Sequence, residues 1–294
     1  MKVNFKTNVV FIIYKLKIKI KMISIKLVDQ HFVHTLFSTD NQESKYITWD
    51  RSPVRNNDEL VVYTDTSLNT VNKTVKKKIG WMLESPAITS GIHDWIGMNY
   101  QGFDMILTNN RKHIEINPDI FKFSPTCGCW ILPKDQMIYP KKKLLSAIFS
   151  DKKFTSGQAM RHQAVINFKN KIDVFGRGYF PLPNKIYGLK DYAFALVIEN
   201  CKQDYYFTEK LIDCFTTGTI PIYWGCPSIG DFFDVNGMIC FNDIHDLSAI
   251  INNLSLGLYN SKIESVKHNF SESKKYLIAE DYMFENYLKK YVID

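Results

Sequence analysis

Apolar and polar positions change period several times along this chain, and the changes mark its elements. Over residues 15–26 lysines alternate with Leu16, Ile18 and Ile20, the period-two pattern of a strand with one face on a core and the other in water; its lysines predict a sheet edge. Short apolar runs at 60–63, 78–83, 103–108 and 128–132 read as further strands of a mixed α/β first half. Pro140 and the lysines at 141–143 then form a polar hinge. Beyond it the pattern is regular: strand 144–149, helix 157–168, strand 171–175 ending in Gly176-Arg177-Gly178, strand 194–198, helix 208–215 stopped at Gly218, strand 219–224, strand 237–241 and helix 243–254. Residues 261–291 are helical and amphipathic. Such alternation predicts parallel sheet covered on both faces, with ligands at the carboxyl ends of the strands. The hinge divides the chain into 1–140, with a basic extension over 1–21, and 141–294, which carries the C-terminal helices. A cleft between two such halves is the default ligand site.

Composition and charge narrow the picture. The 294 residues, 23% charged and 45% hydrophobic, exclude collagenous, coiled-coil and disordered chains. No apolar run approaches the roughly 20 residues of a membrane-spanning helix, and no secretory leader is visible. The net charge of +7 equals the seven lysines of the first 28 residues, which hold no acid, so the body is formally neutral. That argues against a nucleic-acid partner. The basic segment suits peripheral contact with an anionic membrane surface, but the strand reading explains it equally and is preferred. Six cysteines without a Cys-x-x-Cys pair read as reduced thiols of a cytoplasmic protein. Zinc at Cys127-Gly-Cys129 would need two more ligands, with only His31 and His34 to hand, so no metal is expected. Arginines number only 5 against 32 lysines, which makes each one informative.

The chemistry concentrates in residues 199–225, ENCKQDYYFTEKLIDCFTTGTIPIYWG. A strand ends at Glu199-Asn200, so both side chains emerge at its carboxyl end. Thr208 N-caps the following helix, whose first turn holds Glu209 and Lys210. Free N–H groups, the positive dipole end and Lys210 make a phosphate cradle, and Glu209 can accept hydrogen bonds from hydroxyls. The bland alternative is a capped helix with solvated charges.

This segment closely resembles the donor-binding motif of the α-1,3-fucosyltransferases, glycosyltransferase family 10, through Glu199-Asn200, Tyr206-x-Thr208-Glu209-Lys210 and the run from Gly218 to Gly225; the bacterial members are nearest. The resemblance weakens over residues 80–245. It implies an α/β GT-B fold, two Rossmann-like domains facing a central cleft, the C-terminal one binding GDP-fucose and the N-terminal one the acceptor. It implies donor contacts from Asn200, Tyr206, Glu209 and Lys210, with Glu199 beside them. Arg161 matches in position a family arginine that neutralises phosphate; a surface helix residue is its plain alternative. Glu84-Ser85-Pro86, after the apolar run Trp81-Met82-Leu83, matches the family's Glu-Ser-Pro, whose glutamate is the proposed general base; a loop carboxylate is the alternative. Gly176 and Arg177 close a strand end, as a guanine- or ribose-facing loop or as a plain turn.

The reaction so implied is inverting transfer of fucose from GDP-fucose to a glycan hydroxyl, in glycan biosynthesis or protein glycosylation. Glu84 would take the proton of a poor nucleophile, Arg161, Lys210 and the helix start would hold the departing diphosphate, and Glu209 would stabilise an oxocarbenium-like sugar. No Asp-x-Asp triplet occurs, which fits a cofactor-free, metal-independent enzyme. Vertebrate members carry a membrane anchor and a cysteine pattern not evident here, so a soluble or membrane-peripheral enzyme is expected, with Met22 as a second candidate start. The acceptor would be chosen by residues 28–140. Two other readings stay open: a same-fold transferase of another nucleotide deoxysugar, and a non-catalytic glycan-binding relative.

Overall fold

The structure of the protein is a computed structural model that describes residues 22–39, 42–126 and 128–292. The first domain is built on six parallel strands, β1 (Ile23–Val28), β2 (Ile47–Asp50), β3 (Leu60–Thr64), β4 (Lys77–Trp81), β5 (Met105–Thr108) and β6 (Phe121–Phe123), in the order β2-β1-β3-β4-β5-β6. Helices α1 (Pro86–Asn99) and α2 (Arg111–Ile116) follow β4 and β5. Alternation puts Ile25 and Leu27 of β1 in the core. The expected edge strand is therefore present only as its last part, residues 15–21 lying outside the described residues. It is also no edge, since β2 and β3 flank it; the Lys26 ammonium pairs with Asp50 at 3.1 Å and bonds Ser52. The strand expected at 128–132 is a connection. Its N–H groups go to the Leu277 carbonyl and the Asp213 carboxylate instead of a neighbouring strand.

The second domain has five parallel strands, β7 (Lys143–Ile148), β8 (Asp173–Phe175), β9 (Tyr192–Ile198), β10 (Ile220–Trp224) and β11 (Ile239–Cys240), in the order β11-β10-β9-β7-β8. Every residue of β9 is buried, as a central strand covered on both faces requires. Around the sheet lie α3 (Ser156–Phe168), α4 (Glu209–Thr216), α5 (Asp246–Asn252), α6 (Leu256–Ser261) and α7 (Ile263–Ser273). A capping box between Thr155 and Gln158 starts α3.

The tail departs from expectation. The hinge predicts that residues 141–294 all belong to the second domain, but α8 (Ala279–Met283), a π-helical stretch (Phe284–Leu288) and α9 (Lys289–Val292) return to the first sheet. There Met283, Phe284 and Leu288 pack on Ile25, Val62, Ile79 and Trp81. The physical reason is an uncovered apolar face: α1 sits on the opposite side of that sheet with Val61, Tyr63 and Ile106. Polar bonds pin the return. Glu280, fully buried, accepts the Ser38 N–H and hydroxyl, and Asp281 accepts the Ser44 hydroxyl and Lys45 N–H.

Strand order reverses between β1 and β3 in the first sheet and between β7 and β9 in the second. Crevices at such points, at the carboxyl ends of the strands, are where open parallel sheets bind ligands.

Candidate active site

A cavity of 510 Å³ opens at the reversal point of the second sheet, its wall made by residues following β7 and β9 and by the first turn of α4. Close backbone approach makes it possible. A Cβ on Gly157 would lie 1.8 Å from the Glu199 carbonyl oxygen, so only glycine lets α3 begin against the end of β9; its N–H bonds the Asn200 carbonyl. One turn on, the Arg161 guanidinium is held from below: Nε and Nη2 donate to the Ile198 carbonyl at 2.9 and 2.6 Å, and Nη2 to Asn200 Oδ1 at 3.1 Å. Burial lowers its pKa, opposed by the Glu199 and Glu209 carboxylates. Gly176, at φ +108°, and Arg177 form another part of the wall, Arg177 being ion-paired with Asp151 at 3.3 Å.

The first turn of α4 is a knot of charge. Thr208 caps the helix, accepting the Lys210 N–H, while Glu199 accepts the Thr208 N–H at 2.9 Å and its hydroxyl at 2.8 Å. Lys210 Nζ stands 3.2 Å from Glu209 and 3.4 Å from Glu199. Burial alone would lower the Lys210 pKa; the two carboxylates outweigh it and hold the ammonium above the ordinary lysine range.

Arg161, Asn200, Glu209, Lys210, Gly176 and Arg177 all reach the cavity wall. Glu199 and Tyr206 do not. The Glu199 carboxylate is fully buried and bonded to the Thr208 N–H and hydroxyl, which places it behind the helix start. Tyr206 is buried beneath the wall, its pKa raised first by burial and then by Glu199 and Glu84.

Glu84 belongs to the other side of the cleft. It follows β4, with Pro86 opening α1. Its N–H and that of Leu83 donate to Asp65 Oδ1 at 3.2 and 2.9 Å, and His93 bonds its carbonyl. The two domains meet here: Gln203, in the loop after β9, donates to the Asn109 carbonyl, and Asn109 donates to the Leu83 carbonyl at 3.3 Å. Glu84 is thus anchored by polar links to the loop that leads into α4.

Several residues at these sites gave no sequence signal. Lys185 lines the cavity, 2.9 Å from Asp213 and 3.5 Å from Glu209, with its ammonium 4.2 Å from the Trp130 ring centroid. Asp213, buried in α4, has its pKa raised by burial against the pull of Lys185. In sequence Lys185 is one lysine among 32. His31 stands beside Glu84, its Nε2 3.8 Å from Oε1. Among the described residues no group of three or more His, Cys, Asp or Glu is arranged to hold a metal, and no helix is long and apolar enough to cross a membrane.

Two facing Rossmann-like domains with a charged pocket at the cleft make up a GT-B fold, and solved structures agree on it. An α1,3-fucosyltransferase crystal structure superposes with TM-score 0.56 at 16% identity, covering 95% of this chain and 92% of its own. An α1,3-fucosyltransferase solved with GDP gives 0.53 at 17% identity, covering 89% and 92%. In sequence, residues 138–261 match the model of glycosyltransferase family 10 (fucosyltransferase), C-terminal part. The α-(1,3)-fucosyltransferase FucT of Helicobacter pylori is 29% identical over 140 residues, 48% of this chain. That match spans 23% of the length of the H. pylori protein, and a match to an Arabidopsis thaliana α-(1,4)-fucosyltransferase, 33% identical, spans 17% of that one.

Proposed function

We propose that the protein is an inverting fucosyltransferase that moves fucose from GDP-fucose to a hydroxyl of a glycan acceptor. The observation that carries this is the pairing of a cationic cavity at one reversal point with a carboxylate, Glu84, presented from the facing domain and linked to it through Gln203 and Asn109. The diphosphate would sit between Arg161 and the start of α4. Arg161 Nη1 keeps its donors for an anion while Nε and Nη2 are tied down. Lys210 and the positive end of the α4 dipole add fixed positive charge where the leaving diphosphate gains negative charge. Holding these groups rigidly before the reaction is what makes them effective.

Glu84 would accept the acceptor's proton as the glycosidic bond forms. Such general-base catalysis is worth roughly 10²–10⁴-fold. Glu209, held by Lys210 and Lys185, would face the sugar and favour oxocarbenium character. Asn200 would orient the donor, and the Gly176-Arg177 turn would border its nucleoside end. Cation and dipole stabilisation of the diphosphate asks for no divalent ion. A basic N-terminal stretch would favour work at a membrane surface.

The test is GDP release from GDP-fucose with a panel of glycan acceptors, wild type beside Glu84→Ala. Turnover that collapses in the variant while GDP binding by calorimetry is unchanged supports donor and base together. Failure to bind GDP-fucose, with binding of another nucleotide sugar, would replace fucose by that sugar.

A further inference from the structure

We propose that His31, oriented by Asp65, is the exit relay for the proton that Glu84 accepts, the three side chains forming a Glu–His–Asp line at the reversal point of the first sheet. The inference rests on the reading of Glu84 as general base and deepens it.

Transfer of a sugar from a nucleotide diphosphate to a hydroxyl releases one proton per turnover. Glu84 must lose that proton before it can act again, and its side chain is only 27% exposed. The imidazole of His31 is the group placed to take it. The ring lies between two carboxylates, with Nε2 3.8 Å from Glu84 Oε1 and Nδ1 3.6 Å from Asp65 Oδ2, and it is 37% exposed, so it reaches water. A shift of about 1 Å brings either nitrogen to hydrogen-bonding distance, the tightening expected of catalytic contacts when substrate binds.

Each member of the line is held by local structure. His31 follows β1 in a turn set by Asp29, whose carboxylate accepts the His31 and Phe32 N–H groups and the Thr64 hydroxyl. Asp65 follows β3 at φ +35°, a strained conformation for a residue other than glycine. That backbone aims its carboxylate inward: Oδ1 takes the Leu83 and Glu84 N–H groups, while Oδ2, buried and without a hydrogen bond, faces His31. Burial, working against His31 and the two N–H donors, pushes the Asp65 pKa up to about 6. The strands before these residues are β1 and β3, the pair between which the sheet order reverses.

The proton path balances. The acceptor O–H bond breaks as its oxygen bonds to the sugar carbon, and the proton goes to Glu84 Oε. Glu84 then gives it to Nε2 of a neutral His31 whose Nδ1–H points at Asp65. The resulting imidazolium, stabilised by Asp65, loses a proton to water. Other charged or titratable groups face these residues without interrupting the line. Arg51, after β2, stacks on Phe32 and lies 3.9 Å from Asp29. His93 on α1 bonds the Glu84 carbonyl, and Tyr206 and Cys201 approach Glu84 from the second domain.

His31 acts through Glu84, so it is a positioning residue for proton traffic, and the test needs more than lost activity. The first arm measures GDP release from GDP-fucose with water and a disaccharide panel as acceptors. His31→Ala should lower kcat by about 10-fold or more with the donor KM within about twofold, and added imidazole should restore much of it. Unchanged kcat, or a loss that imidazole leaves unrepaired, overturns the relay. The second arm needs no turnover. Nitrogen NMR of His31 at high pH should show Nδ1 carrying the hydrogen in wild type and the opposite tautomer in Asp65→Asn. An Nε2–H tautomer in wild type also overturns it. Should wild type release no GDP from GDP-fucose, the donor reading fails, and the NMR arm still decides whether the line exists.

Discussion

The two sheets share a strand order over their first five strands, yet they present different chemistry at the same topological place. At the reversal point of the second sheet stand fixed cations: Arg161 bonded to the end of β9, and Lys210 between two carboxylates. At that of the first stand two carboxylates and an imidazole: Asp65, His31 and, one strand over, Glu84. On the proposed reading, one topology would supply anion binding on one side of the cleft and base chemistry on the other. The division teaches that the fold fixes where a site lies, while the residues just past each strand fix what it does.

The sharpest way to break the second-sheet half is Lys210→Met. The ammonium is the countercharge of Glu199, which is fully buried, and of Glu209. Removing it leaves a buried carboxylate uncompensated, an effect of about 3 kcal/mol on stability, and GDP affinity should drop with it. Adding Glu199→Gln should recover part of the stability and none of the GDP affinity. Recovery of both in a calorimetric double-mutant cycle would mean that Lys210 is structural only.

A smaller effect is expected from Gly157→Ala, which tests geometry without touching charge. The new Cβ would meet the Glu199 and Asn200 carbonyl oxygens at 1.8 and 2.9 Å, so α3 must move off the end of β9 and carry Arg161 with it. Overpacking of this kind costs about 1–3 kcal/mol. The melting temperature and the GDP dissociation constant should both worsen, and an unchanged GDP affinity would show that Arg161 is not needed where it stands.

The contrast also explains what could be read in advance. Strand–helix alternation past residue 143 is regular, and β9, α4 and β10 fall close to their expected places because each signal is local: a fully apolar strand, a Thr cap, Gly218 at φ +67° closing the helix. The first domain was less legible. β2 (Ile47–Asp50) and β6 (Phe121–Phe123) are too short, with too many polar positions, to show a period. The return of α8 to the first sheet depends on which face α1 leaves bare, a tertiary fact. His31 and Asp65 lie 34 residues apart in the numbering and meet only because β1 and β3 are neighbours. Glu199 stands at a strand end as its sequence position indicates, while the inward turn of its carboxylate to Thr208 is again a tertiary fact.

The gentlest test bears on the first sheet. Burial raises the folded-state pKa of Asp65 from 3.8 to about 6, so the folded protein binds this proton more tightly than the unfolded chain. Between about pH 4 and pH 6 the stability it contributes is therefore lost as pH rises, whereas a carboxylate with a depressed pKa would gain it. Asn at position 65 keeps an oxygen for the Leu83 and Glu84 N–H groups and has nothing to ionise. Relative to wild type, Asp65→Asn should be near neutral at pH 4 and more stable by on the order of 2 kcal/mol above pH 6. The gain is trimmed by losing the His31 partner. A denaturation series over this range checks it, and a difference that stays flat with pH would mean that Asp65 is not held against its ionisation. A variant that is more stable yet slower in turnover would identify the buried charge as one kept for proton transfer at the expense of the fold.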